Sequence, residues 1–122
     1  MHIHESAEDY LEAILRLRET KGQVRSVDIS QLLGVTKPSV SFAMKKLREN
    51  EYISMDQENL ITLTDKGEEI AMRVYDRHKI LSTFLMKIGV EESVAREDAC
   101  KLEHDISEES FAALRKHLLK LQ

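Results

Sequence analysis

The 122-residue sequence predicts a mainly α-helical protein: three helices with one small hairpin, then a second helical part. Three observations carry this expectation. Breaks are few, with one Pro and four Gly. Charged residues make up 33% of the chain and alternate with apolar ones at helical spacing. Only residues 51–63 depart from that period. An all-β sandwich would need many more turns. At 42% apolar, 122 residues supply roughly fifty side chains to bury, which supports one compact core, or two small units sharing an interface, but not a multidomain enzyme. The apolar runs are too short to span a bilayer. Met1-His2-Ile3-His4-Glu5 has no basic stretch followed by an apolar one, so no secretory leader is expected. A single cysteine, Cys100, cannot close an internal disulfide and fits a reducing cytoplasm.

Residues 6–21 carry Ala7, Tyr10, Leu11, Ile14 and Leu17 at three- and four-residue spacing, and Gly22 supplies the stop. Ser6 and Asp9 resemble a capping box at the start of this helix. Val27 to Leu33 reads as a short helix burying Ile29 and Leu33 and ending at Gly34, which tolerates a left-handed turn. Thr36 is the expected N-cap of the next helix. Pro38 lies in its first turn, where a missing N–H costs little. Its inner face runs through Val40, Ala43, Met44 and Leu47. Tyr52-Ile53 and Leu60 to Leu63 flank a polar stretch and read as a hairpin. A long helix begins at Thr64-Asp65, carries the stripe Leu81, Phe84, Leu85 and Ile88, and stops at Gly89. Two helices follow, 91–104 and 107–121, the second capped by Ser107. The expected domain boundary lies within the long helix, near residue 73.

Helix, Gly turn, helix and hairpin in that order is the order of a winged helix-turn-helix. Between residues 22 and 50, Arg25, Lys37, Lys45, Lys46 and Arg48 outweigh Asp28 and Glu49 by three charges, although the whole chain carries −4. A net acidic chain is no histone-like binder, but a local basic surface suffices for DNA. Arg25, Thr36, Lys37, Pro38, Ser39, Ser41, Lys45 and Lys46 form the expected DNA-contacting set. Short hydroxyls near a helix N-terminus reach base edges or phosphates, and lysines anchor phosphates. The hairpin segment 51–65 has no Lys or Arg and offers poor phosphate contacts.

A second pattern bears on metals. Cys100, Glu103 and His104, at offsets of three and four, share one face of a helix. A thiolate, a carboxylate and an imidazole so placed can converge on a divalent cation. Asp9 and Glu12 are three apart on the first helix, and His78 lies mid-way along the long one. Each also has an ordinary reading. Asp9 can complete the cap with Ser6, Glu12 can pair with Arg16, His78 can be partly buried, and a lone cysteine is commonly an inert buried side chain.

Taken together, Glu8-Asp9-Tyr10-Leu11-Glu12, Arg77-His78 and Cys100-Lys101-Leu102-Glu103-His104 around a winged helix resemble the iron- and manganese-dependent repressors of the diphtheria toxin repressor and manganese transport regulator type. The likeness runs from about residue 5 to residue 120. It implies a winged helix-turn-helix DNA-binding domain over 1–73 and an α-helical metal-binding and dimerisation domain over 74–122. It implies metal ligands at Asp9, Glu12, His78, Cys100, Glu103 and His104. The manganese-type members carry a carboxylate where this chain has Cys100. The iron-type members have Cys there but Met in place of Asp9, so this sequence mixes the two. Ancillary iron-type ligands would fall at His78, 82 and 96, where the last two are Ser82 and Arg96. The Src-homology-like third domain of longer members lies outside the likeness. The implied cofactor is Mn²⁺ or Fe²⁺, with Zn²⁺ or Co²⁺ as further candidates, because oxygen ligands suit Mn²⁺ and a thiolate favours the later metals.

The implied function is metal-dependent repression of genes for metal-ion homeostasis by a homodimer on double-stranded operator DNA. Carboxylates of Asp9, Glu12 and Glu103 repel one another until a cation joins them. The stripe Leu81, Phe84, Leu85 and Ile88 is the expected dimer surface, or else an intramolecular core. One alternative is a metal-independent winged-helix regulator. A zinc enzyme built on Cys100, Glu103 and His104 would need a substrate cleft and a base that the sequence does not offer, so no enzyme is expected.

Overall fold

A computed structural model describes residues 5–121, with side chains from 6 to 120. The Met1–His4 stretch read for a leader lies outside them. The described residues form six helices and one antiparallel hairpin: α1 Glu5–Lys21, α2 Ser26–Leu33, α3 Lys37–Glu49, β1 Ile53–Met55, β2 Ile61–Leu63, α4 Asp65–Lys87, α5 Glu92–Asp105 and α6 Glu108–Leu121. Two compact units divide the chain, Met1–Met72 and Arg73–Gln122.

In the first unit, α1 is buried almost all round through its middle, where Leu11, Glu12, Ala13, Ile14 and Leu15 are consecutive buried residues. Periodicity had predicted a one-sided stripe; a central helix is covered on more faces than a surface one. Ser6 is the second residue of this helix, so it is not the expected N-cap. Helix α2 buries Ile29 completely, contributing roughly 1.5–3 kcal/mol of hydrophobic stabilisation. Leu33 is only half-buried, contrary to expectation, because it sits in the last turn beside Gly34. Gly34 closes the helix at φ 68° with its N–H on the Ser30 carbonyl at 2.9 Å. The Ser30 hydroxyl donates to the Val35 carbonyl at 2.6 Å and so holds the turn from its side-chain end.

Helix α3 starts as expected, with Thr36 Oγ1 accepting from the Ser39 N–H at 3.3 Å and Pro38 in the first turn. Its buried side is Val40, Met44 and Leu47. The hairpin pairs Ile53 with Leu63 and Met55 with Ile61. Asp56 closes its turn by accepting from the N–H groups of Glu58 and Leu60 at 2.8 and 2.9 Å. The strands are shorter than the β-prone runs: Tyr52 bonds back to the Leu47 carbonyl and Ile61 N–H reaches the Val24 carbonyl at 2.8 Å. That last bond ties the hairpin to the segment before α2. Thr64 caps α4, accepting from Gly67 N–H at 3.1 Å, and an Arg18–Glu68 ion pair joins α1 to the first turns of α4.

In the second unit, Leu81, Ala99 and Phe111 form a core with Ile80, Ile106 and Leu114 packed against it. Ala95 and Ala99 are fully buried, and side chains this small let α5 approach its neighbours closely. Ser107 caps α6 through the Ser110 N–H at 3.1 Å, as expected. Leu81 belongs to this intramolecular core rather than to a dimer surface. Ile88 lies just beyond the end of α4 and is 59% exposed, and Phe84 and Leu85 are half-buried. No described helix is long and apolar enough to cross a membrane.

Candidate functional site

The first unit carries the basic, hydroxyl-bearing surface. Thr36, Lys37, Pro38, Ser39, Ser41, Lys45 and Lys46 are all exposed on or beside α3. At 3.6 residues per turn they lie away from the side that buries Val40, Met44 and Leu47. The Thr36 hydroxyl donates to Ser39 Oγ at 2.8 Å while accepting the Ser39 N–H, so the cap also orients the first hydroxyl of the exposed face. Arg25 is the N-cap residue of α2, its N–H donating to Asp28 Oδ2 at 2.9 Å and its side chain exposed. That backbone bond, aided by the Lys21 ammonium 3.0 Å from Asp28 Oδ1, holds the Asp28 carboxyl below its ordinary 3.8. Sequence reasoning counted Asp28 only as a negative charge; an acid three residues after the cap position was the available signal.

Two residues of α1 were proposed as ligands. Asp9 is half-buried, and Glu12 is only 5% exposed. Burying a carboxylate is expensive unless a partner compensates it.

The second unit assembles a tighter cluster. Glu103 on α5 is 1% exposed. His78 Nδ1 on α4 lies 3.0 Å from its Oε2, and His104 Nε2 lies 3.5 Å from its Oε1. Oε1 is buried and accepts no hydrogen bond, so the carboxyl is short of one partner. In the tautomer that donates Nδ1–H to Glu103, His78 keeps its Nε2 lone pair, the form of imidazole that binds metals. Cys100, one turn before Glu103 on α5, is exposed where Glu103 is buried, yet its Sγ lies within 4.8 Å of a Glu103 carboxylate oxygen, so the pair shares one helical face as expected. The donor set of two imidazoles, a carboxyl with an orphaned oxygen and a nearby thiol fits a divalent transition metal.

At the two positions expected for an ancillary metal, Ser82 turns its hydroxyl onto the His78 carbonyl at 2.8 Å, and Arg96 pairs with Glu92 at 2.9 Å. Arg77 is the residue whose role the sequence did not show. Its Nη1 donates to the carbonyls of Glu103 and Ile106 at 3.1 and 2.9 Å, its Nη2 pairs with Glu108, and the guanidinium lies 5.3 Å from the Phe111 ring centre. One buried side chain thus pins the end of α5 and the start of α6, holding the backbone of Glu103 in place.

Comparison with known proteins agrees with these observations. Residues 2–59 match the model for the iron-dependent repressor N-terminal DNA-binding domain, and residues 64–122 that for the iron-dependent repressor metal-binding and dimerisation domain. The chain is 38% identical over 114 residues to the transcriptional regulator MntR of Escherichia coli O157:H7, covering 93% of this chain and 74% of that protein. It is 37% identical over 113 residues to an uncharacterised HTH-type transcriptional regulator of Methanocaldococcus jannaschii, covering 91% and 90%. Among solved structures it resembles a manganese-dependent transcriptional repressor in complex with manganese, with a TM-score of 0.84, 29% identity and coverage of 92% of this chain. It spans 52% of that repressor's chain, and 54% and 55% of the solved chains of the manganese regulator SloR and of T. acidophilum IdeR. With both of its halves matched and its fold shared, the chain belongs to the iron-dependent repressor family of metal-dependent transcriptional regulators.

Proposed function

We propose that this protein is a cytoplasmic, homodimeric repressor that binds operator DNA when loaded with Mn²⁺ or Fe²⁺ and so controls genes of metal-ion homeostasis. The observation that carries the reading is the buried carboxyl of Glu103, set against two histidines with one oxygen unsatisfied, in a chain that also bears a lysine- and hydroxyl-rich α3. Asp9 and Glu12 of α1 and His78, Cys100, Glu103 and His104 are the ligand set. A divalent cation, when bound, supplies the positive charge that these carboxyls lack and links groups distant in sequence. Glu103 and His78, whose Nδ1 lies 3.0 Å from Glu103 Oε2, would hold the cation together, and Arg77 keeps the Glu103 backbone from shifting.

Residues 1–73 act as the DNA-binding domain and 74–122 as the metal-binding and dimerisation domain. Arg25, Thr36, Lys37, Pro38, Ser39, Ser41, Lys45 and Lys46 contact DNA. A dimer reads two half-sites about 34 Å apart, or a multiple of it, so anything that orders the reading helices changes affinity. A tenfold preference of metal for the DNA-competent arrangement corresponds to about 1.4 kcal/mol. The test is operator binding by fluorescence anisotropy under anaerobic conditions, since both Fe²⁺ and Cys100 oxidise. Binding should tighten at least tenfold with Mn²⁺ or Fe²⁺ over chelator. Equal affinity in chelator would instead identify a metal-independent winged-helix regulator.

A further inference from the structure

The exposed face of α3 holds one residue that the lysine-and-hydroxyl account leaves out. Phe42 is 64% exposed. At 3.6 residues per turn it points about 180° away from the centre of the buried Val40, Met44 and Leu47 side. Its helical neighbours, three and four residues away on either side, are Pro38, Ser39, Lys45 and Lys46, all exposed. The Lys46 ammonium lies 5.4 Å from its ring centre. Phe42 therefore stands at the middle of the surface assigned to DNA, ringed by the groups suited to phosphates and polar base edges. An apolar ring that serves only the fold would face inward. This one faces the solvent that a nucleic acid would displace.

The partner chemistry follows from what an α-helix meets in the major groove of duplex DNA. The apolar group displayed on a base edge there is the C5-methyl of thymine, and a phenylalanine is among the side chains that pack on it. We infer that Phe42 is a specificity-determining residue that selects thymine by covering its methyl group, while the flanking lysines hold the backbone. This rests on the DNA-binding reading proposed above and adds which base α3 prefers and why. The competing role for the ring is structural. Phe42 also walls a cleft of about 490 Å³ with Ala7 and Tyr10 of α1 and Ala43 of α3, and could serve only to cover it.

Replacing thymine by deoxyuridine removes the methyl and leaves the hydrogen-bonding edge unchanged, which separates the two roles. Duplexes are first selected from a random library by the full chain with Mn²⁺, then resynthesised with deoxyuridine at each thymine in turn. The wild-type protein should lose affinity about fourfold for each methyl it contacts, or about fifteenfold for one in each half-site. Phe42→Ala should bind the thymine duplex more weakly and be indifferent to the same deoxyuridine substitutions. Its melting temperature should stay close to that of the wild type, since the ring is mostly exposed. If the wild type is insensitive to every deoxyuridine, or Phe42→Ala retains the full methyl effect, the assignment of Phe42 is overturned while DNA binding stands. Loss of stability in Phe42→Ala with equal weakening on both duplexes would assign the ring to the cleft and overturn it as well. Recovery of no duplex, with or without metal, would overturn the DNA-binding reading and this assignment together.

Discussion

At the scale of single residues, Glu103 is the clearest point of conflict between folding and ligand binding. A buried carboxyl whose Oε1 accepts no hydrogen bond lowers the stability of the metal-free protein. Glu103→Gln removes the charge and keeps the size. Its metal-free melting temperature should equal or exceed that of the wild type. The stabilisation that Mn²⁺ gives the wild type, about 2.7 kcal/mol at a hundred times Kd, should disappear. Thermal melts with chelator and with Mn²⁺ check both halves, and a metal-free protein that instead loses several kcal/mol would show Glu103 to be a structural acid. Cys100 governs metal choice in the same proposal. Cys100→Glu exchanges a soft thiolate for a hard carboxylate, so the ratio of Mn²⁺ to Zn²⁺ affinity should rise in competition titrations. An unchanged ranking would remove Cys100 from the ligand set.

At the scale of elements, two junctions lend themselves to separate tests. Gly67 lies where α4 starts beneath the hairpin, and a Cβ there would sit 2.0 Å from the Tyr52 carbonyl oxygen. The obstacle is backbone, which cannot swing aside. Gly67→Ala should therefore cost about 3 kcal/mol in urea unfolding, although helix propensity alone would favour Ala. A neutral or stabilising result would mean the α4 start moves freely away from Tyr52. The second junction is the start of α2. Asp28 has a folded pKa below its ordinary 3.8, held there first by the Arg25 N–H and then by Lys21. A depressed carboxyl stabilises the fold above the unfolded value, and that contribution is lost as pH falls through the folded one. The stability difference between wild type and Asp28→Asn should be present at pH 6 and shrink steadily once the pH drops below about 4. A difference that stays constant down to pH 2 would show that the charge of Asp28 is irrelevant to the helix start.

At the scale of the molecule, a net charge of −4 coexists with a positive surplus of three over residues 22–50. Association with DNA should accordingly depend on the local surface and not on the total. The logarithm of the binding constant should fall linearly with the logarithm of salt concentration, and removing Lys45 and Lys46 should flatten the slope by about 0.9 for each phosphate no longer neutralised. Salt titrations of wild type and a Lys45→Ala, Lys46→Ala variant measure this directly. A slope that the double variant leaves unchanged would move the phosphate-binding groups off α3.

Much of this architecture was legible along the chain because its causes are local. The Gly34 turn, the Thr36 cap with Pro38 behind it, the Ser107 cap and the helical periods each depend on residues within one or two turns, and each appears where the pattern put it. The local signals that misled did so for a physical reason. Ser6 had a cap-like spacing to Asp9, but the helix begins one residue earlier and takes Ser6 inside. Leu81 carried the same apolar signature as Phe84 and Leu85, yet only packing against Ala99 and Phe111 made it core.

The sequence by itself therefore determined the order of elements and the winged helix-turn-helix, and it supplied the residues proposed for metal and DNA, since spacing and capping are written between near neighbours. Tertiary structure alone decided that Glu103 is buried with one oxygen unsatisfied, that His78 reaches it across 25 residues of chain, and that Arg77 clamps the backbone beneath it. It also turned Phe42 outward into a lysine-lined face. Burial and the partners of a charge depend on groups far apart in sequence, and only the packed chain brings them together.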